Sequence, residues 1–180
     1  MAATCLPKCE LVVKHAIDQI WRWLEQVSDP EIPVLSVVDL GVVRNVQWDD
    51  DTLHIALTPT YSGCPATQVI AQDVESALQQ HGIEKLIVKT QLSPAWSSDW
   101  ITERGRKHLK EYGIAPPQHS HECNSDTNTT RTLFSSGKPA QCPHCGGESV
   151  TMISQFGSTP CKAQWRCNDC LEPFDYFKCI

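Results

Sequence analysis

Leu53-His54-Ile55-Ala56-Leu57-Thr58-Pro59-Thr60-Tyr61-Ser62-Gly63-Cys64-Pro65 holds the change of period that decides the fold. Leu53, Ile55 and Leu57 alternate with His54 and Ala56, the two-residue repeat of a strand with one buried face. Pro59 and Pro65 remove backbone donors, and Gly63 lets the chain bend between them. From there Val69, Ile70, Val74, Ala77 and Leu78 recur at three- and four-residue spacing up to Gly82, which predicts a helix with Pro65 in its first turn. A strand, a thiol-bearing loop and a helix thus form the centre of the first half.

Upstream, Val42 to Trp48 and Leu53 to Leu57 flank Asp49-Asp50-Asp51, the signature of a β-hairpin. Before that, Val13, Ile17, Ile20, Trp21, Leu24 and Val27 mark one face of an amphipathic helix, stopped by Ser28-Asp29-Pro30-Glu31-Ile32-Pro33. Downstream, a third strand is expected from Leu86 to Leu92, then a loop through Pro94 and Trp96, then a helix from Thr102 to Tyr112 closed by Gly113. The order αββαβα predicts an α/β (α+β) domain over residues 1–113, with helices packed on a small mixed sheet. Residues 114–138, with Pro116-Pro117 and a Ser/Asn/Thr-rich run, have the composition of a flexible linker.

The last 42 residues, 139–180, are too few to bury a self-sufficient core and need a covalent or metal staple. Cys142-Pro143-His144-Cys145 and Cys167-Asn168-Asp169-Cys170 supply one: two C-x2-C pairs, 21 residues apart, at the spacing of a tetrahedral zinc site. Strands at Val150 to Phe156, Ala163 to Arg166 and Pro173 to Phe177 would make the segment a zinc ribbon. A site closed by four thiolates has no open position for substrate, so Cys142, Cys145, Cys167 and Cys170 are expected to hold structural zinc. His144 could replace one ligand, although residues between the two thiols of a knuckle usually face outward. Cys161 and Cys179 are left over, as plain buried residues, a redox-sensitive pair or two ligands of a second centre.

Six of the ten cysteines lie in the last 39 residues. No apolar run reaches the roughly 20 residues that span a bilayer, and the N-terminus lacks the basic and apolar regions of a secretory signal. A cytoplasmic location without membrane contact is expected, where clustered thiols point to metal or thiol chemistry rather than disulfides. Lys and Arg number 15 against 21 Asp and Glu. That acidic balance, net -5 in the first 113 residues and -1 in the last 42, argues against a nucleic-acid partner.

Cys64 precedes a predicted helix, whose free N–H groups and dipole favour a thiolate, so partial exposure and unusual reactivity are expected. It could be a nucleophile, a ligand for a soft metal such as iron, or a buried capping residue. No catalytic partner declares itself: His54 sits in a strand, and His81 is roughly 25 Å along the helix that Cys64 begins. Asp29, Glu31 and Asp39 lie in loops or loop edges that could line the same surface or simply be solvated.

The segments DPEIPVLSVVDLGVVRNV (29–46), LTPTYSGCPA (57–66) and SPAWSSDWIT (93–102) resemble the MIP18 family, formerly DUF59, over roughly residues 10–115. Members of that family assist iron-sulfur cluster assembly. With CPHC, FGSTPCKA, RCNDC and the C-terminal EPFDYFKCI added, nearly the whole chain resembles the PaaD family of accessory proteins, encoded with the bacterial phenylacetyl-CoA epoxidase (ring 1,2-epoxidase) of phenylacetate degradation. The resemblance implies that Cys64 handles an iron-sulfur cluster or iron transiently, beside acidic positions Asp29, Glu31 and Asp39. It also implies a metal-binding role for Cys142, Cys145, Cys167 and Cys170, and leaves Cys161 and Cys179 without one.

The expected function is that of an assembly or maturation factor without turnover of its own. Its expected partners are the oxygenase and reductase components of the epoxidase, with iron-sulfur assembly proteins as a further class. Two alternatives are a non-catalytic structural subunit of the epoxidase and a thiol-dependent enzyme using Cys64, the latter requiring a histidine beside that thiol.

Overall fold

A computed structural model describes residues 14–118 and 137–179. The first half follows the expected order: α1 (Ile17–Leu24), β1 (Val43–Asp49), β2 (Thr52–Leu57), α2 (Thr67–Gln80), β3 (Leu86–Thr90) and α3 (Glu103–Glu111). β1 and β2 pair antiparallel through the Asp50-centred turn, where Asp50 takes φ 44°. β3 then joins β2 in parallel after the α2 crossover, giving the sheet order β1-β2-β3.

The predicted periods correspond to burial. Leu53, Ile55 and Leu57 are fully inside, as are Val74 and Leu78 of α2 and Ile20 and Leu24 of α1. Boundaries shift where local bonding competes. α1 stops at Leu24, and α2 begins at Thr67 because Cys64 to Ala66 form a separate turn, with the Thr67 N–H and hydroxyl both donating to the Cys64 carbonyl. α3 starts where Thr102 Oγ1 accepts the Gly105 N–H at 3.0 Å, a side-chain N-cap worth about 1 kcal/mol.

The second half has the three predicted strands, β5 (Val150–Ser154), β6 (Lys162–Cys167) and β7 (Pro173–Phe177), paired as an antiparallel meander with a register shift between Met152 and Ser154; β5 ends two residues short of the expected Phe156. Its sheet has a fourth strand. Ile114–Ala115, which the composition places at the start of the linker, forms β4 and pairs in parallel with β7. The remainder of the expected linker, 119–136, lies outside the described residues.

The two halves also share a core. Cys161 and Phe177 of the second half are buried within the cluster built from α1, α2 and the first sheet, and Phe177 meets Trp96 with ring centroids 5.8 Å apart. A smaller core of Val150, Ala163, Trp165, Phe174 and Tyr176 fills the second half beside Cys142 and Cys167. Arg106 of α3, itself buried, donates to the carbonyls of Ser98 and Pro117 and so ties the loop before α3 to the chain leaving β4.

Candidate metal centre and thiol site

Each knuckle of the second half is a tight turn. The Cys142 N–H donates to the Gly147 carbonyl at 2.8 Å, and Gly146 adopts the φ of +77° that the turn requires. The second knuckle is closed by the Cys167 N–H donating to the Glu172 carbonyl at 3.0 Å. The four sulfurs all lie within 4.8 Å of one another, with Cys145 and Cys167 Sγ at 3.5 Å and Cys142 and Cys170 Sγ at 3.9 Å. A zinc ion bonded at about 2.3 Å to four tetrahedral thiolates separates them by roughly 3.8 Å, so the donor set and its size fit zinc. His144 is exposed, and its ring packs against Gly113 at the end of α3, facing away from ligand duty.

Cys64 is half-buried at the end of the β2–α2 loop, beside a crevice lined by Val42, Leu57, Pro59, Thr60 and Ile70. The expectation of a stabilised thiolate is corrected. Burial pushes the Cys64 thiol above its ordinary value; the Ala66 N–H and the Thr67 hydroxyl oppose the rise, whereas the Glu31 and Asp29 carboxylates add to it. Two acids and a partly dry setting outweigh the helix end, which lies past the turn rather than at the thiol.

Asp29 is buried in the loop between α1 and β1, which is closed by a bridge between Ser28 and Ser36. Its Oδ1 accepts the N–H groups of Glu31 and Ile32, both at 2.8 Å. Burial raises its carboxyl, while those two N–H groups and the charge of Lys162 hold it down. Glu31 is raised by burial and by Asp29, and lowered by Lys162. Both carboxylates thus act on Cys64 and feel one lysine from the other half of the chain.

Asp39 stands apart. Its carboxylate accepts from Ser36 Oγ at 3.0 Å, from Thr102 Oγ1 at 2.7 Å and from Arg104 Nε at 2.9 Å. Burial would raise it, but those bonds and the guanidinium charge together hold it below the usual carboxylate range. The structure therefore makes it a brace between the acidic loop and α3.

Cys161 and Cys179 are separated in role. Cys161 is a buried free thiol that shares a 3.0 Å contact with Thr159 Oγ1, whereas Cys179 packs on the second core against the Tyr176 hydroxyl, 3.3 Å away. They do not form a disulfide with each other. The two histidines weighed as bases for Cys64 have other partners: His54 faces Asp49 at 3.9 Å, and His81 stacks on Trp23 at 4.1 Å. Sequence reasoning missed Lys162 and Tyr61 altogether, since no local pattern marks a lysine of one sheet as the counter-charge of a loop more than a hundred residues upstream.

A compact α/β unit with a cysteine loop, joined to a four-thiolate ribbon, defines the class. Residues 17–84 match the family described as iron-sulfur cluster assembly protein, and residues 121–178 match the PaaD zinc beta ribbon domain. The chain is 46% identical over 164 residues to a putative 1,2-phenylacetyl-CoA epoxidase subunit of Escherichia coli, covering 91% of this chain and 93% of that protein. It is also 36% identical over 94 residues to the Fe-S protein maturation auxiliary factor YitW of Bacillus subtilis, covering 52% of this chain and 88% of the relative. The crystal structure of a DUF59 domain from Bacillus anthracis aligns with a TM-score of 0.48 at 28% identity, over 51% of this chain and 89% of that one. The chain belongs to the PaaD family.

Proposed function

We propose that this chain is a maturation factor of the phenylacetyl-CoA epoxidase system, receiving an iron-sulfur cluster or iron at Cys64 and passing it to the epoxidase reductase component. The observation that carries the reading is the setting of Cys64: a half-buried thiol in the loop before α2, within the field of the Glu31 and Asp29 carboxylates, with His54 and His81 both engaged elsewhere. Thiolate and carboxylate donors suit iron, whereas a nucleophile needs a base to take its proton. The similarity of the first half to maturation auxiliary factors and of the whole chain to an epoxidase subunit supports both parts of the proposal. The ribbon, held by structural zinc, completes the fold and docks the recipient, and the protein works in the cytoplasm with no turnover of its own. Among the described residues no helix is long and apolar enough to cross a membrane.

The naming of the relative as a subunit favours a second reading, a stoichiometric part of the epoxidase. The two part in a reconstitution. Oxygenase and reductase fully loaded with their cofactors should epoxidise phenylacetyl-CoA without this chain if it is a maturation factor. A requirement for stoichiometric addition would replace maturation with the subunit reading. In cells, Cys64→Ser should reproduce the loss caused by deletion while the variant remains folded.

A further inference from the structure

The four thiols of the ribbon are unequally covered. Cys142 and Cys167 are fully buried in the second core and Cys170 is half-buried against it, whereas Cys145 is exposed. The sequence of the first knuckle explains the difference. Cys145 stands at the tip of the turn, which the Gly146 N–H closes on the Cys142 carbonyl at 2.9 Å, and the two glycines that follow it have no side chains to shield its sulfur. The Gly147 N–H donates to Cys145 Sγ at 3.4 Å. A Cβ on Gly147 would come within 3.3 Å of that sulfur and would collide with the Asp169 carboxylate, so Asp169 and Cys145 border the same patch of surface.

Zinc binds the thiolate form at every one of the four positions, so access and not acidity separates them. Oxidation of a cysteine follows thiolate character and exposure together, and Cys145 alone among the four combines them fully. The charge of the neighbouring Asp169 repels anionic reagents and leaves a small neutral oxidant as the class that fits. A second sulfur is within reach: Cys167 Sγ, on the other knuckle, lies 3.5 Å from Cys145 Sγ.

We propose that Cys145 is an oxidation site, at which hydrogen peroxide opens the ribbon by pairing Cys145 with Cys167. The Cys145 thiolate attacks one peroxide oxygen: an S–O bond forms, the O–O bond breaks, and hydroxide leaves, the peroxide having gained the two electrons that sulfur loses. The Cys167 thiolate then attacks the sulfenic sulfur of Cys145, forming the S–S bond and releasing a second hydroxide. Both hydroxides take protons from solvent. The disulfide withdraws two of the four metal ligands, so β5, β6 and β7 lose the staple that aligns them. No part of this depends on the role given to Cys64.

The test uses the full-length protein carrying one zinc per chain, treated with hydrogen peroxide and quenched at intervals with N-ethylmaleimide. Released zinc is read with a chromophoric chelator, and the state of each cysteine by peptide mass spectrometry. Among the four ligands Cys145 should be the first to escape alkylation, and a peptide linking Cys145 to Cys167 should accumulate in step with released zinc. Cys145→His, which keeps a tetrahedral set of three thiolates and one imidazole, should retain its zinc and release it to peroxide about tenfold more slowly than the wild type. Zinc that stays bound in the wild type, release that precedes oxidation of Cys145, or a first disulfide other than Cys145 to Cys167 overturns the proposal. So does a zinc-loaded Cys145→His protein that loses its metal at the wild-type rate. The order of oxidation in the wild type decides the matter even where the substitution disturbs the knuckle.

Discussion

Asp39 shows how much a single side chain can be asked to hold. Its carboxylate serves the Ser36 turn, the Thr102 cap of α3 and the Arg104 guanidinium, whose other arm reaches Glu25 at 3.5 Å. Asp39→Ala should therefore lower stability by about 3 kcal/mol, the usual consequence of stranding the partners of a buried charge. The pH dependence has a definite sign. Because its folded pKa lies below the unfolded value of about 3.9, the contribution of Asp39 is complete above that value. It fades as pH falls through the folded value. Urea denaturation of wild type and variant should give a constant difference from neutral pH down to about 5 and a shrinking one below 4. A difference that grows on acidification would contradict the assignment.

At the level of elements, the end of α3 and the first zinc knuckle depend on each other. Gly113 has φ +88°, and a Cβ there would come within 3.1 Å of the His144 ring. Gly113→Ala should cost about 1 kcal/mol from backbone strain alone and more from the contact. Adding His144→Ala should recover the contact part only, a non-additivity that a double-mutant cycle measures. Metal removal acts on the same region. Chelation, or Cys167→Ser, should remove zinc and the structure of β5 to β7, seen as loss of far-ultraviolet β signal together with one zinc per chain released.

Local periodicity revealed most of these elements. The repeats of Leu53-Ile55-Leu57 and Val74-Leu78, and the paired C-x2-C spacings, are properties of neighbouring residues and are written in the chain. β4 escaped because two residues carry no period, and its pairing with β7 is a non-local choice. The thiolate expected at Cys64 failed for a related reason. The helix end is local and visible, while the opposing carboxylates come from another loop and the burial from the fold as a whole.

Taken as a whole, the molecule is less divisible than its two family matches suggest. The tail contributes Phe177 and Cys161 to the core of the first half, so the loss of the ribbon uncovers apolar surface on the domain that precedes it. Phe177→Ala should remove about 3–5 kcal/mol. Its effect should be visible at Trp96, whose ring Phe177 covers, as a shift of tryptophan emission toward that of exposed indole.

That shared core also makes metal supply a clock. Trp96 and the first sheet have all their local partners within the first hundred residues, yet the last side chain to cover Trp96 is carried by β7, which is aligned by a sheet whose knuckles close on zinc. Contacts between residues so far apart in sequence form late. Refolding of the denatured chain should therefore show a fast phase independent of zinc, in which α1, α2 and the hairpin assemble. A slower burial of Trp96 should follow, with a rate that rises with free zinc until docking itself becomes limiting. A cell short of zinc would accumulate a chain whose first half is formed but still open along one side.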